Sequence, residues 1–278
     1  MDKTGKHVDV NGPLHEAVRY FYCIQTPSDF EKIDQHLSPN LEMMLVFNFG
    51  GPVRMSFGDS AYGDQELSRI GVLGPLRKML NYEVLPNTDL IIAVFNTDGF
   101  YRLFQMPMYE MHGEKIINPD ELTLNTGFGE LWQALKNMSS LDDRLELLED
   151  YAKIFLHEPD TETAALTSGI HYLHNPLIQP VRAMAMDSDV SERTIQMRFK
   201  KYLGYSTKEL LRFLRFRQVI NCIQKEGNNE IDWHGLIEEF GYHDQSHLIK
   251  DFRHYLGTTP RKFVRDIVGK EFCVSKQL

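Results

Sequence analysis

The chain has 278 residues, of which 42% are hydrophobic and 25% are charged, and its formal net charge is −9. This balance is that of an ordinary globular protein, and it excludes the collagen-like, intrinsically disordered and disulfide-stapled classes. The longest apolar runs, such as residues 90–95, are far shorter than the roughly 18 residues that a membrane helix needs. We therefore predict a cytoplasmic protein without a membrane partner, built from two domains of about 150 residues each.

Charge is unevenly distributed along the chain. Residues 1–159 carry 13 Lys and Arg against 24 Asp and Glu, whereas residues 160–278 carry 17 against 15. Within the second part, residues 193–217 include eight basic residues and one acidic residue, Glu209. A basic stripe of this kind is typical of a surface that contacts phosphate, so a nucleic-acid partner is expected to bind there.

Short apolar runs separated by turn residues indicate strands in the first 130 residues. The turns are marked by clusters such as Gly50-Gly51-Pro52. The predicted strands cover residues 19–24, 43–49, 53–57, 69–73 and 90–95. Several short strands of this kind predict a small sheet or β-barrel.

Helical periodicity follows the strands, at residues 100–105, 128–137 and 141–156. The last predicted helix has an apolar stripe formed by Leu141, Leu145, Leu148, Ala152 and Phe155. This stripe either belongs to the core or packs against a second copy of the chain. Residues 157–163 contain Pro159 and mixed charge and are interpreted as a linker, which divides the chain into domains 1–158 and 159–278.

Neither the cysteines nor the histidines have the spacing of a metal site. The cysteines, Cys23, Cys222 and Cys273, are far apart and are interpreted as reduced and structural. The histidines of the first part include no His-x-His pair; they are His7, His15, His36, His112 and His157. We therefore predict no bound metal and no cofactor.

Aromatic, methionine and arginine side chains of the predicted strands are the candidates for contact with an organic ligand. They are Tyr20, Tyr22, Met44, Phe47, Met55, Tyr62 and Tyr82, with Arg54, Arg77 and Arg102 as charged candidates. Apolar residues at strand spacing are more often core, and surface arginines are usually solvated. Both interpretations stay open, and no ligand-binding residue is assigned.

A short motif occurs twice in the second part of the chain. Phe199-Lys-Lys-Tyr-Leu-Gly204 recurs 53 residues later as Phe252-Arg-His-Tyr-Leu-Gly257. Ser191 and Asp244 each precede the phenylalanine by eight residues, and both residue types favour a helix N-cap. An apolar residue also stands four residues before each phenylalanine. The pattern predicts two capped helices, each with one buried face and a glycine at its end.

The opposite faces of these two predicted helices carry polar and basic side chains at helical spacing. Such groups suit contacts with base edges and phosphates in a DNA groove. The base-facing candidates are Arg193, Gln196, Met197, Gln245, Ser246, Ile249 and Lys250, and the phosphate candidates are Ser191, Lys200, Lys201 and Arg253. A solvated surface is the alternative for an isolated helix, but the repetition favours recognition.

Each capped helix is preceded by another predicted helix, at residues 181–186 and 233–240. A helix, a short turn and a second helix form the helix-turn-helix plan, whose second helix enters the major groove. Between the two units, residues 208–224 are predicted to form one helix. This spacer would span roughly 27 Å, comparable with the roughly 34 Å between successive major-groove segments on one side of DNA.

Residues 171–265 resemble the DNA-binding module of the AraC/XylS family of transcription regulators. The motifs that carry the resemblance are Ser191-Glu-Arg-Thr-Ile-Gln-Met-Arg-Phe199, Leu214-Arg-Phe216, Phe240-Gly-Tyr-His-Asp-Gln-Ser-His247 and Gly257-Thr-Thr-Pro260. The resemblance implies two helix-turn-helix units joined by a central helix, with double-stranded DNA as the partner.

The first part of the chain resembles, with less specific motifs, the cupin-like sensor domain of AraC-type regulators. These motifs are Leu37-Ser-Pro-Asn40, Leu45-Val-Phe-Asn48, Gly71-Val-Leu-Gly-Pro75, Phe100-Tyr-Arg-Leu-Phe104 and Arg144 to Leu148. The resemblance implies a small-molecule effector, a homodimer and a contact with RNA polymerase. The expected fold is α+β with two domains, a β-barrel of cupin type with helices followed by an all-α double helix-turn-helix domain.

Two other classes of protein are weighed against a DNA-binding regulator. A protein-interaction module that has lost DNA binding would not need the basic stripe, although the acidic first part is compatible with it. An enzyme, either of cupin type or a methyl acceptor in DNA repair, would need metal ligands or a reactive cysteine in a zinc-bound cluster. We predict a regulator without enzymatic activity, whose effector, operator and direction of regulation stay open.

Overall fold

The computed structural model describes residues 4–10, 12–60, 63–111, 113–122, 127–174, 179–226, 231–268 and 272–273. The strands are β1 (Lys6–Asp9), β2 (Val18–Gln25), β3 (Ile33–Leu37), β4 (Met44–Asn48), β5 (Val53–Phe57), β6 (Gln65–Leu67), β7 (Ile70–Leu73), β8 (Leu80–Val84), β9 (Asp89–Phe95) and β10 (Phe272–Cys273). The helices are α1 (Gly99–Phe104), α2 (Phe128–Lys136), α3 (Leu141–Phe155), α4 (Thr161–Gly169), α5 (Pro180–Asp187), α6 (Glu192–Arg198), α7 (Thr207–Glu226), α8 (Trp233–Glu239), α9 (Gln245–Leu256) and α10 (Pro260–Asp266).

The strands form two five-stranded sheets, in the orders β1-β2-β9-β4-β7 and β10-β3-β8-β5-β6. Strands β1 to β9 pair in antiparallel fashion, whereas β10, from the end of the chain, lies parallel to β3. Side chains alternate between the two faces of a strand, so each central strand contributes to two cores. One face of each sheet packs against the other sheet through residues that include Tyr20, Ile24, Met44, Val46, Met55, Phe57, Leu80 and Val94.

The other face of the first sheet is covered by α1, α2 and α3. Phe21, Phe47 and Phe95 from this face pack with Phe100, Phe104 and Phe128 of the helices. On α3, Leu145, Leu148 and Ala152 are buried in the same cluster. The apolar stripe predicted on this helix therefore belongs to the core of the first part of the chain.

Sequence patterns predicted five of the strands to within two residues, namely β2, β4, β5, β7 and β9. The strands β1, β3, β6, β8 and β10 were not predicted. Strands β3 and β6, with the sequences IDQHL and QEL, are short and largely polar, so their pairing depends on neighbouring strands rather than on apolar alternation. The predicted helices correspond to α1, α2 and α3 with differences of one residue at their ends.

Helices α5 to α10 surround a separate hydrophobic cluster. Its fully buried side chains include Ile195, Phe199, Phe213, Phe216, Leu248, Phe252 and Phe263. Leu41 and Met79, which come from the strand region, are part of the same cluster, so the two parts of the chain are packed together. No helix among the described residues is long and apolar enough to cross a membrane.

The segment predicted as a linker is partly helical. Residues 156–160 have no regular structure, but α4 begins at Thr161, where the Asp160 side chain accepts a hydrogen bond from the amide of Glu162. The cap and the two alanines that follow, Ala164 and Ala165, favour a helix. The weak amphipathic pattern of this helix explains why it was not predicted.

Candidate nucleic-acid interface

The first helix-turn-helix unit (the first unit) consists of α5 and α6 and ends at Gly204. The Ser191 hydroxyl accepts a hydrogen bond from the amide of Thr194 at 3.1 Å and thus caps α6, as predicted. After α6 the helix continues as a wider π-helical turn over Phe199–Leu203. Gly204 ends it with a φ of 78°, a conformation that glycine adopts at little cost.

The second helix-turn-helix unit, here the second unit, consists of α8 and α9 and ends at Gly257. The Asp244 carboxylate accepts a hydrogen bond from the amide of His247 at 2.8 Å and caps α9. Gly257 ends the helix with a φ of 66°. Leu248 and Phe252 are buried, so both predicted i, i+4 seams, caps and glycine ends are present.

The outward faces of α6 and α9 carry the residues that were predicted to contact DNA. Most of them are exposed: Ser191, Arg193, Gln196, Met197 and Lys200 on the first unit, and Gln245, Ser246, Lys250 and Arg253 on the second. Ile249 is half-buried. Each unit therefore presents polar and basic groups of a single helix to solvent, and on the first unit the long apolar side chain of Met197 is also 59% exposed.

Lys201 does not lie on the exposed face. Its ammonium group is 3.1 Å from Glu162 and 3.7 Å from Asp160, and it lies over the ring of Tyr101 at 5.4 Å. Since Lys201 directly follows Lys200, its side chain leaves the helix in a different direction, toward α4 rather than solvent. A phosphate contact by Lys201 would require it to leave these partners.

The hydroxyl of Tyr202 completes the same cluster. It donates to Asp160 at 2.6 Å and lies 2.8 Å from a Glu162 oxygen. This hydroxyl lowers the pKa of both carboxyl groups, and the nearby Lys201 lowers them further. The cluster attaches the end of the first unit to the start of α4.

Helix α9 is attached to α7 by an ion pair whose carboxylate is buried. The Arg212 guanidinium donates two hydrogen bonds to one Asp251 oxygen, at 2.8 and 2.6 Å, and the Tyr242 hydroxyl donates to the other at 3.0 Å. Sequence analysis did not single out Asp251 or Tyr242 for this role. The signal was available, because Asp251 is an acidic residue at the position that Arg198 occupies in the first unit.

Only some side chains of the basic stripe, residues 193–217, are exposed in the folded chain. Arg212 is engaged by Asp251, and Arg217 is 9% exposed, near Glu42 of the strand region. Burial lowers the pKa of the Arg217 guanidinium, and the Glu42 carboxylate partly offsets this effect. The residues of the stripe that remain exposed include Arg193, Lys200 and Lys208.

Two family models match the chain. Residues 184–266 match a model described as a helix-turn-helix domain, and residues 8–116 match one described as a domain of unknown function, DUF6597. The first match covers most of both units, including their caps, seams and glycine ends. Over these residues the chain is therefore similar to helix-turn-helix domains, in agreement with the AraC-type motifs of its sequence. No curated protein matches this chain.

Solved structures align with this chain over most of its length, at low sequence identity. ToxT from Vibrio cholerae O395 covers 90% of this chain and 97% of its own, at 10% identity and a TM-score of 0.40. ToxT from strain SCE256, described as bound to an unsaturated fatty acid, covers 92% and 96%, at 8% identity and a TM-score of 0.37. The AraC-like transcriptional activator CuxR covers 74% and 78%, at 12% identity and a TM-score of 0.31.

The residues predicted as ligand candidates do not form one site. Tyr20, Tyr22, Met44, Met55 and Tyr82 lie in or against the core between the sheets, whereas Phe47 belongs to the core under the helices. Tyr62, and the histidine His112, lie outside the described residues. Among the described residues, no group of three or more His, Cys, Asp or Glu side chains could hold a metal ion.

The three arginine candidates have three different environments. Arg54 is exposed, as expected for a solvated side chain. Arg102 is 5% exposed, donates to the carbonyl oxygen of His157 at 2.9 Å and lies 3.6 Å from Glu16. Arg77 reaches the second part of the chain, where it donates to the carbonyl oxygen of Gly204. Of the three, Arg77 therefore links the strand region to a helix-turn-helix unit.

Proposed function

We propose that this protein is an AraC-type transcription regulator that binds DNA sequence-specifically by placing α6 and α9 in two consecutive major-groove segments. The observation that carries the proposal is that both recognition helices expose the face opposite to their buried seam. The connecting helix α7 has 20 residues and spans about 30 Å. This length is comparable with the roughly 34 Å between major-groove segments one turn apart.

The proposal assigns base contacts to the first turns of both helices. The residues are Arg193, Gln196, Met197, Gln245, Ser246, Ile249 and Lys250. Long side chains with amide, guanidinium or ammonium groups donate to base edges, and Met197 and Ile249 suit the methyl group of thymine. Ser191, Lys200 and Arg253 are assigned to phosphates, which set the register of the protein on DNA.

The proposal divides the chain into a sensor or dimerisation domain, residues 1–158, and a DNA-binding domain, residues 159–278. A small effector is assigned to the two-sheet domain, and a homodimer and a contact with RNA polymerase belong to the same proposal. Because Leu145, Leu148 and Ala152 of α3 are buried within the chain, a homodimer would use other surfaces. An effector would act by binding one arrangement of the domains more tightly than another.

Fluorescence anisotropy with the full-length protein tests the proposal. The protein is titrated onto the intergenic DNA upstream of its own gene and onto scrambled DNA of equal length, at two salt concentrations. We expect tighter binding to the native DNA and a steep dependence on salt, because phosphate contacts release counterions. Equal binding of both DNAs would contradict sequence-specific recognition.

The other candidate functions predict different results. A protein-interaction module without DNA binding gives no preference and a shallow salt slope, and an enzyme of cupin type would need a metal-dependent turnover. A repeat with residues 160–278 alone separates two causes of a negative result. Recovery of specific binding would show that the first domain inhibits it, and continued absence in a fragment that circular dichroism shows to be folded would contradict the DNA-binding function.

A further inference from the structure

Residues 77–79, between β7 and β8, contact the C-terminal ends of both recognition helices. The Arg77 guanidinium donates a hydrogen bond to the carbonyl oxygen of Gly204 and lies 3.8 Å from the Glu209 carboxylate. Two residues later, the amide of Met79 donates to the carbonyl oxygen of Tyr255 at 2.7 Å. The last carbonyl groups of a helix have no partner within the helix, so these contacts satisfy groups that would otherwise need water.

The backbones meet closely at both helix ends. A Cβ atom on Gly257 would lie 2.4 Å from the amide nitrogen of Asp59, and one on Gly204 would lie 2.9 Å from the carbonyl oxygen of Met108. Real Cβ atoms do not approach backbone atoms to 2.4 Å, so glycine is required for the contact at Gly257. Each recognition helix therefore ends directly against the strand region.

These contacts leave the proposed DNA face open. They involve the ends of the helices, whereas Gln196 and Lys250 lie in earlier turns and remain exposed. The strand region thus holds the recognition helices without covering the side chains that would contact bases. This arrangement favours a role in positioning the two helices over a role in blocking them.

We propose that residues 77–79 form a splint that fixes the distance and angle between α6 and α9, with Arg77 as a positioning residue for DNA binding. Apart from contacts with the strand region, the two units are joined to each other through α7 and the contacts along it. The splint adds a second connection, which passes through a different domain. Its effect on DNA binding rests on the proposed function, but its effect on the geometry of the units does not.

Two pairs of variants separate the splint from general changes in charge or stability. Arg77→Ala removes the bond to Gly204, and Arg54→Ala removes an exposed arginine from the same domain. Gly257→Ala forces the second unit away from Asp59. Gly241→Ala is its control, because Gly241 has a similar positive φ, 65°, with nothing within 4 Å of its Cβ position.

Double electron–electron resonance measures the distance between the starts of α6 and α9 directly in the full-length protein. Spin labels are placed at Glu192→Cys and His243→Cys, which are exposed sites beside the starts of α6 and α9. Cys222 and Cys273 are replaced by alanine. Cys23 is kept, because it is buried and burial raises the pKa of its thiol to about 11, which leaves it unreactive.

We expect one narrow distance distribution for the parent protein and for both controls. Arg77→Ala and Gly257→Ala should broaden or shift the distribution. The proposal of a splint would be overturned if both test variants gave a distance distribution as narrow as that of the parent protein and centred at the same distance. This result does not depend on DNA, so it stands whether or not the proposed function is correct.

A spacing experiment then tests the consequence for DNA. An operator selected with the wild-type protein is compared with the same operator carrying about five extra base pairs, half a helical turn, between its two contacted segments. Wild type should lose about 5- to 150-fold in affinity on the lengthened operator, the usual range for a coupling between sites. In Arg77→Ala this loss should shrink, because its units move more independently.

The outcomes of the spacing experiment are distinguishable from a loss of folding or of DNA binding. A variant that is only destabilised would lose affinity for both operators equally and would retain the full spacing penalty, which would overturn the role of Arg77. Failure to select any operator with wild type would contradict the proposed function, while the label distances would still decide whether the splint exists.

Discussion

The two helix-turn-helix units share the same buried seam but are anchored to different partners. Phe199 and Phe252 occupy equivalent positions and are 1% and 0% exposed. The second unit is fixed to α7 through Asp251 and Arg212, whereas the first is fixed to the start of α4 through Tyr202 and Lys201. The repeated motif therefore determines the core of each unit, and residues that differ between the copies determine what each unit is attached to.

The helices themselves reflect this difference. In the second unit α9 is a regular α-helix of 12 residues up to Gly257. In the first unit α6 changes to a π-helical turn at Phe199–Leu203, a local widening of the helix. The position of Asp251 is taken there by Arg198, whose Nε atom is buried without a hydrogen-bond partner among the described residues.

The shared seam gives the largest expected effect. Phe199→Ala and Phe252→Ala should each lower the free energy of unfolding by about 3–5 kcal/mol, because each leaves a cavity in a closely packed core. The measurement is urea denaturation followed by circular dichroism. Leu211→Ala, at an exposed position of α7, serves as the control and should change stability by less than about 0.5 kcal/mol. A large difference between the two phenylalanine variants would contradict equivalent cores.

The ion pair between Arg212 and Asp251 should give the second-largest difference in stability between the two units. Asp251→Asn leaves Arg212 without its carboxylate partner, and we expect a loss of about 3 kcal/mol, the lower end for a broken buried pair because Arg212 is partly exposed. Arg198→Ala, at the equivalent position of the first unit, should cost no more than about 0.5 kcal/mol. Equal losses from these two substitutions, measured by the same denaturation, would show that the second unit has no special anchor.

DNA binding should show whether both units contribute to recognition. Gln196→Ala and Lys250→Ala should each cost about 1–3 kcal/mol on the native operator and relax specificity, at two positions one helical turn apart. Lys200→Ala should weaken binding to all sequences alike and reduce the salt slope by about 1. Anisotropy on a set of single-base operator variants makes the comparison. Loss of specificity at one position alone would assign base recognition to a single unit.

Local patterns predicted the structure well where the physical cause was also local. The caps at Ser191 and Asp244, the glycine ends and the exposed faces of α6 and α9 all follow from spacing within one helix. The contact between Arg77 and Gly204 joins residues 127 positions apart, and nothing around Arg77 distinguishes it in sequence from a solvated arginine. The alternation of apolar and polar residues in β8, LNYEV, is an equally local signal for a strand.

The same limit explains the outcome for Lys201. Its position in a basic stripe indicated a phosphate contact, but its environment is set by Asp160 and Glu162, about 40 residues earlier. Charge counted along a sequence does not show which charges are already paired in the folded chain. For Arg212 the partner, Asp251, is 39 residues away, and the sequence indicates it only through the comparison of the two motif copies, in which Asp251 takes the place of Arg198.

The anchor of the first unit should have the smallest effect and a distinct pH dependence. Tyr202→Phe removes the hydroxyl that bonds Asp160 and Glu162, and we expect a loss of about 1 kcal/mol near neutral pH. The pKa values of both carboxyl groups are lowered in the folded protein, chiefly by this hydroxyl. The stability that they contribute is therefore present above their unfolded pKa values, near 4, and is lost as the pH falls further.

The difference in stability between wild type and Tyr202→Phe should accordingly shrink below about pH 4, as both carboxyl groups become protonated. Tyr101→Phe is the matched control, because its ring packs edge-on against Tyr202 at 4.8 Å and its hydroxyl makes no hydrogen bond with the described residues. Urea denaturation at several pH values provides the measurement. A difference that stays constant with pH would show that Tyr202 stabilises the first unit through its ring packing. The first unit would then have no ionic anchor to compare with the ion pair of the second unit.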